Sequence, residues 1–265
     1  MSVARHQVIA EDLRKKIYSG EYAPGSQLPT EPQLEAHYRA SRNTVRVAVN
    51  NLVSEGLIQV NRGLGMYVPD SLIPFRVLLS EEEGGRGRHP GVDSYRAGVL
   101  VTGRRPEVRN FTATIEYPSA EIAGLLEISE DEQVAVRGSQ RYIDDDPYSM
   151  QRSYYPMDIA RGTELESRNG IARGTIEVLR ELGYEQVGTR DNIRARMPTP
   201  EERSFFQVGL GVPVFVVYRM AYASAYERPI RLTVTVYPAD RNQLSYDDGD
   251  VPARQLAEGE IPAFG

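Results

Sequence analysis

Residues 19–68 read SGEYAPGSQLPTEPQLEAHYRASRNTVRVAVNNLVSEGLIQVNRGLGMYV, and the middle of this stretch decides the fold. Val45, Ala48, Val49, Leu52 and Val53 recur at the i, i+3, i+4 spacing of one apolar helix stripe. Ser41 is placed to cap that helix and Gly56 to stop it. Upstream, Thr30 with Gln33 three residues on forms a capping box for a shorter helix, and Arg39-Ala40-Ser41 is the polar break between the two. Ala23-Pro24-Gly25-Ser26 is a turn by composition. Before it, Ile9, Leu13 and Ile17 recur at helical spacing until Gly20. After Gly56, the β-rich pieces 57–61 and 66–68 flank Arg62-Gly63-Leu64-Gly65, a hairpin with a glycine turn. Three helices and a hairpin in this order predict a winged helix-turn-helix.

The outward face of the third helix carries the chemistry. With the valine stripe facing a core, Arg42, Asn43, Arg46 and Asn50 point away from it. Guanidiniums and amides in the first half of a short helix are the groups that read base edges and clamp phosphates. Taken alone, such a face reads first as a solvated polar surface; the helix–break–helix–hairpin context reverses that preference in favour of DNA.

Charge distribution agrees. The whole chain of 265 residues carries −6, but residues 1–68 hold eight Lys/Arg against six Asp/Glu, so +2 sits in the head and −8 in the rest. A mildly basic head on an acidic body suits a protein in which only the head touches phosphates. With no cysteine, disulfides, iron–sulfur clusters and thiol nucleophiles are excluded, and His6, His37 and His89 have no metal-ligand spacing. No cofactor or metal is expected. No run approaches a membrane span, and the charged N-terminus is unlike a signal peptide, so a cytoplasmic protein is expected.

On these residues the head resembles the winged-helix domain of GntR-family transcription regulators. The matching features are sGxxxPGxxLPtE, SRxTVRxA, LxxEGLI and RGxGxxV, linked at the right spacings. The resemblance implies DNA contacts at Thr30, Arg42, Asn43, Thr44 and Arg46, and at Gly63 and Gly65 of the wing. One departure is Pro32, which stands where many members have Arg, so a contact made there elsewhere is missing.

Residues 69–93 read as a linker, with Pro69, Pro74 and Pro90 and four glycines around Glu81-Glu82-Glu83. That divides the chain into a DNA-binding domain (1–68), the linker (69–93) and a C-terminal domain (94–265). Beyond the linker, strands are expected at 108–117, 134–143, 149–155, 193–197, 212–223 and 231–237, and helices at 119–126, 175–182 and 200–208. Successive strands outnumber helices, which predicts an α+β domain around an antiparallel sheet. Arg231, Thr233, Thr235 and Tyr237 share one strand face opposite Leu232, Val234 and Val236; Arg137, Ser139 and Arg141 share another; Arg194 and Arg196 a third. Such faces are either a lined site with guanidinium donors for phosphate or carboxylate, or an open sheet face with solvated arginines. Periodicity leaves both open.

The segments 93–109, 134–156 and 211–247 resemble the UTRA effector-binding domain of the HutC subfamily of GntR regulators, which has a chorismate-lyase-like fold. The resemblance implies a pocket using Tyr95 and Arg96 from a loop ahead of the first strand, Ser139 and Arg141, Ser153 and Tyr154, and Arg231. Ser139 stands where Arg is usual and Arg231 where Glu is usual. An acidic or aromatic effector therefore fits Arg141 plus Arg231 at least as well as a sugar phosphate.

The leading expectation is a ligand-responsive regulator, in this subfamily most often a repressor, binding a palindromic double-stranded operator as a homodimer and a small, anionic effector. The alternative is a lyase-like enzyme acting on an aromatic or acidic molecule. Catalysis needs a placed acid, base or nucleophile, and the only loose candidates are Glu164 and Glu166. A third reading is an architectural DNA-binding protein without an effector.

Overall fold

The computed structural model describes residues 4–61, 65–69, 75–79, 94–100, 102–224 and 226–246. Helices α1 (Arg5–Tyr18), α2 (Glu31–Tyr38) and α3 (Arg42–Ser54) are followed by strands β1 (Gln59–Asn61) and β2 (Gly65–Tyr67). Ile9, Leu13 and Ile17 of α1 pack with Leu34 of α2 and with Val45, Ala48, Val49 and Leu52 of α3. Leu28, Ile58, Met66 and Val68 close this core from the hairpin side, and every member lies within the first 68 residues. Helix starts follow the capping signals. The Gln33 side chain accepts from the Thr30 amide at 2.8 Å, and Ser41 Oγ accepts from the Thr44 amide at 3.2 Å.

Strands β1 and β2 pair antiparallel, Gln59 opposite Tyr67 and Asn61 opposite Gly65. Residues 26–28 add a third rung: Leu28 donates to Met66 and Val68 donates to Ser26 through the backbone. Gly65 has φ +115, a backbone conformation that favours glycine; a Cβ there would meet only the movable amide end of Gln27, at 2.8 Å. The turn 62–64, with Gly63, lies outside the described residues.

A short strand, β3 (Phe75–Leu78), then falls inside the stretch expected to be linker. It pairs in parallel with the last strand, β10 (Asn242–Ser245), and buries Val77 and Leu79 in the C-terminal domain. Helix α4 (Ser94–Leu100) follows, so Tyr95 and Arg96 sit on a helix rather than on the loop expected there.

The C-terminal domain is an antiparallel six-stranded sheet. Its strands are β4 (Pro106–Glu116), β5 (Val134–Ile143), β6 (Asp146–Pro156), β7 (Gln186–Arg196), β8 (Val214–Ala223) and β9 (Arg231–Pro238), in the spatial order β4-β5-β6-β9-β8-β7. The β5–β6 hairpin turns on Asp144 and Asp145, both left-handed (φ 52 and 72), the pair of conformations a two-residue primed turn requires. Helices α5 (Ala120–Leu126) and α8 (Pro200–Phe206) cover one face, against Val134, Val136, Leu232, Val214 and Val216. The other face is covered by α4 and β3 at one end. At the other end lie α6 (Met157–Ala160), a 3-10 turn at Glu164–Glu166 and α7 (Thr175–Glu181).

Candidate nucleic-acid interface and effector site

The candidate DNA-facing surface is built by burying one side of α3. Val45, Ala48, Val49 and Leu52 are inside, which leaves Arg42, Asn43, Arg46 and Asn50 exposed on the opposite side. Thr30 is exposed at the adjoining start of α2, and Thr44 is half-buried with its hydroxyl 2.8 Å from Ser41 Oγ. Arg42 and Arg46, one turn apart, present largely exposed guanidiniums. The helix is braced from behind: Arg14 of α1 grips Glu55 with two hydrogen bonds of 2.9 and 2.7 Å. Tyr38 of α2 donates to Asp12 of α1 at 2.6 Å, which holds the Asp12 carboxyl below its usual range. A rigid helix end with exposed arginines and a wing beside it matches the geometry that seats in a major groove.

The second site lies on the sheet face under α4 and β3. Strand register places Arg137, Ser153, Thr233, Arg219 and Asp191 in one row across five strands. Neighbouring rows on the same face carry Gln151 with Thr235, and Arg141 with Ser149. All four arginines of this face, Arg137, Arg141, Arg219 and Arg231, are buried, as are Ser149, Ser153, Thr233 and Thr235. Periodicity left two readings open: the face of Arg137, Arg141 and Arg231 is covered, whereas Arg194 and Arg196 project from the opposite face and are exposed, paired with Glu121 and Glu202.

These arginines divide by partner. Arg137 donates to the backbone carbonyls of Leu165, Ser167 and Asn169 at 3.0, 2.6 and 2.8 Å and lies over the Phe111 ring. Burial pushes its guanidinium below the usual value. Arg219 forks onto Asp191 at 2.7 and 2.6 Å and donates to the Leu79 carbonyl at 2.6 Å, tying β3 to the sheet. Both are structural cross-links. Arg141 instead lies 4.6 Å from the Tyr95 ring centroid and donates to Gln151 Oε1 at 2.7 Å, and Gln151 passes the contact to Thr235. Ser153 and Thr233 hydroxyls are 3.2 Å apart, and Arg231 donates to Gln186 at 3.1 Å. On the same face the Ser149 and Tyr155 hydroxyls are fully buried, with no hydrogen-bond partner among the described residues. An enclosed face with guanidiniums, hydroxyls and an aromatic wall has the chemistry of a small-molecule site.

The structure brings Tyr95 onto Arg141 at one end of this face, with Ser139 half-buried on the neighbouring row and Ser153 beyond it; Arg231, opposite Ala221 and bonded to Gln186, lies at the other end, away from Arg141. Arg96 is exposed. Tyr154 lies on the opposite face, packed with Ile122, Leu126 and Leu232 under α5, where burial raises its hydroxyl pKa. The tyrosine that shares the face of Ser153 is Tyr155. Side chains alternate along a strand, so adjacent residues 153 and 154 are kept on opposite faces; the alternation was available in the sequence. Gln151 follows from the same rule, whereas the Arg219–Asp191 link needed the strand order. Glu164 and Glu166 lie outside this band, Glu164 held by Arg173 at 2.6 and 3.0 Å and Glu166 by the Gly162 amide at 2.8 Å.

Head and body meet at a cleft of about 230 Å³ lined by Tyr18, Glu55, Leu57 and Gln59 from the head and Phe75, Arg104 and Tyr148 from the body. Beside it the exit of α3 rests on the loop 209–211. A Cβ on Gly211 would lie 2.5 Å from Ser54 Cβ, and one on Gly209 would lie 3.1 Å from Val53 Cγ1. An aromatic series runs from Tyr95, stacked on Tyr148 at 5.6 Å, to Phe75, edge-on to Tyr148 at 5.2 Å.

A DNA-reading winged head joined to a sheet domain with a lined polar face defines the class of ligand-responsive transcription regulators. Residues 5–68 match the family described as bacterial regulatory proteins, gntR family, and residues 102–243 match the UTRA domain. The chain belongs to the GntR family, in its UTRA-bearing HutC subfamily. It is 26% identical over 237 residues to the HTH-type transcriptional regulator YurK of Bacillus subtilis, covering 89% of this chain and 90% of that one. It is 23% identical to the HTH-type transcriptional repressor NagR of the same organism, covering 88% and 90%. A crystal structure of a GntR-family transcriptional regulator superposes with a TM-score of 0.62 at 24% identity, covering 94% of this chain and 98% of the other. The C-terminal domain accordingly is a UTRA effector-binding domain and the head a DNA-binding domain.

Proposed function

We propose that this regulator is a cytoplasmic repressor. In this reading it binds a two-fold symmetric operator as a homodimer, and an anionic small molecule seated against Tyr95 and Arg141 changes its operator affinity. The observation that carries the effector half is the Arg141 guanidinium stacked on Tyr95 within a buried polar row. Guanidinium forks bind carboxylates and phosphates bidentately, and an aromatic wall accepts the apolar body of a ligand. Repression is supported by the likeness to NagR, which is named a repressor. Symmetry follows from reach: one short recognition helix reads few base pairs, so adequate specificity needs two half-sites. Tyr148 supports coupling, since its ring touches Tyr95 on the effector side and Phe75 at the cleft beside the head. Coupling requires the ligand to prefer one arrangement of head and body, with a coupling free energy of about 1–3 kcal/mol.

A thermal-shift panel of small carboxylic acids and sugar phosphates, followed by gel shift with each hit, tests the reading. Arg141→Ala is expected to weaken binding of a hit by about 1.5–3 kcal/mol in isothermal titration, the worth of a hydrogen bond to a charged group. Equal affinity in both proteins would place the ligand elsewhere, and turnover of the hit would favour the enzyme. Sedimentation of the free protein and of its DNA complex is expected to give a dimer in both; a monomer in both sinks the symmetric reading.

A further inference from the structure

We infer that Glu31 is a positioning residue for DNA readout: its carboxylate, shared between Arg42 and Arg46, aims the two guanidiniums at the bases. This rests on the reading of α3 as the recognition helix. Glu31 is the first residue of α2, whose start is set by the contact between the Thr30 amide and Gln33. From there Oε2 reaches to 3.7 Å from Arg42 Nε and Oε1 to 4.0 Å from Arg46 Nε. Glu31 is the least exposed of the three side chains (32%, against 74% for Arg42 and 58% for Arg46), so it stands behind the arginines rather than in front of them.

The atoms matter more than the distances. Both contacts are made at Nε, the inner corner of the guanidinium. A guanidinium held there is left with its outer Nη1–Nη2 edge available, the edge that can pair end-on with O6 and N7 of guanine. In the free protein these contacts exceed hydrogen-bond length and are exposed to water, where an ion pair contributes little. When a duplex covers the helix and displaces that water, the attraction grows as the effective dielectric falls. A carboxylate facing DNA also repels phosphates, so Glu31 weakens sequence-independent binding. Orientation and repulsion act on different quantities, which makes the role separable from a plain surface charge.

The test compares full-length wild type, Glu31→Gln and Glu31→Asp on two duplexes, one selected from a random library by the wild-type protein and one with its sequence scrambled. Glu31→Gln is expected to bind the scrambled duplex more tightly, with a salt slope steeper by up to about 0.9. Its ratio of specific to scrambled affinity is expected to fall about tenfold, within the range lost when a bidentate base contact is impaired. Glu31→Asp keeps the charge but loses a methylene of reach, so its scrambled-duplex binding and salt slope should match wild type while its ratio falls by a smaller factor. Repeating the selection should show relaxed preference at the positions that relax in Arg42→Ala or Arg46→Ala. A ratio unchanged in both Glu31 variants, while either arginine variant lowers it, would overturn the role of Glu31 alone. No effect of either arginine variant would overturn the recognition helix and Glu31 together. Thermal melts confirm that each variant is folded, and Glu31→Asp keeps the comparison decisive should Glu31→Gln not fold.

Discussion

Leu52→Ala is expected to melt the DNA-binding head while leaving the UTRA domain folded. Leu52 is fully buried on α3 in the core that α1, α2 and the wing share. Truncating a buried leucine removes its transfer free energy and leaves a cavity, together about 2–5 kcal/mol. The head is a domain of roughly sixty residues, a size whose whole stability is marginal because so little of its surface is buried. The same loss that a large domain survives should lower the melting transition of the head by about 10 °C or more. Its core shares no member with the four buried clusters of the C-terminal domain, so the higher transition should stay in place. Scanning calorimetry of the full chain reads both transitions. One transition that shifts as a unit would mean that the packing of α3 on loop 209–211 makes head and body cooperative. A loss under 1 kcal/mol would mean that Leu52 does not sit where α1 and α3 meet.

Arg42→Ala and Arg46→Ala are each expected to weaken specific operator binding by about 1–3 kcal/mol where they contact bases. Both side chains project from the exposed side of α3, one turn apart, and neither supports the core, so folding should be unaffected. The form of the loss identifies the contact. A base contact gives relaxed preference at one position of the half-site, while a phosphate contact weakens all sequences alike and flattens the salt dependence by about one phosphate. The two arginines share Glu31, so the double variant is expected to lose less than the sum of the singles. Unchanged operator affinity in both variants, with circular dichroism intact, would show that α3 does not read DNA.

Local order was legible along most of the chain because its signals are local. Ser41 and Thr30 announce helix starts through side chains that reach only three residues, and the valine stripe of α3 is a periodicity within one helix. The strands of the UTRA domain were found within a few residues of their ends. The exceptions are β10 (Asn242–Ser245), which was not expected, and β7, which begins at Gln186 where 193 was expected, because Gly188 and a register shift after Gln186 blur its alternation. Strand β3 was hidden for a different reason. Its four residues lie in a stretch that is polar and proline-rich overall, and its pairing partner is β10, far along the chain.

By itself, then, the sequence determined the winged head, the arginines exposed on its third helix and the strand-rich body, since caps, turns and hydrophobic periods depend on neighbours within a few residues. Tertiary structure alone decided what each of four like-charged arginines on one sheet face holds. Arg137 is spoken for by the carbonyls at 165–169 and Arg219 by Asp191 and Leu79, partners that only the sheet order and the folded cover bring within 3 Å. The physical reason is that a guanidinium carries the same charge everywhere, and its role is set by what the fold places around its five donors.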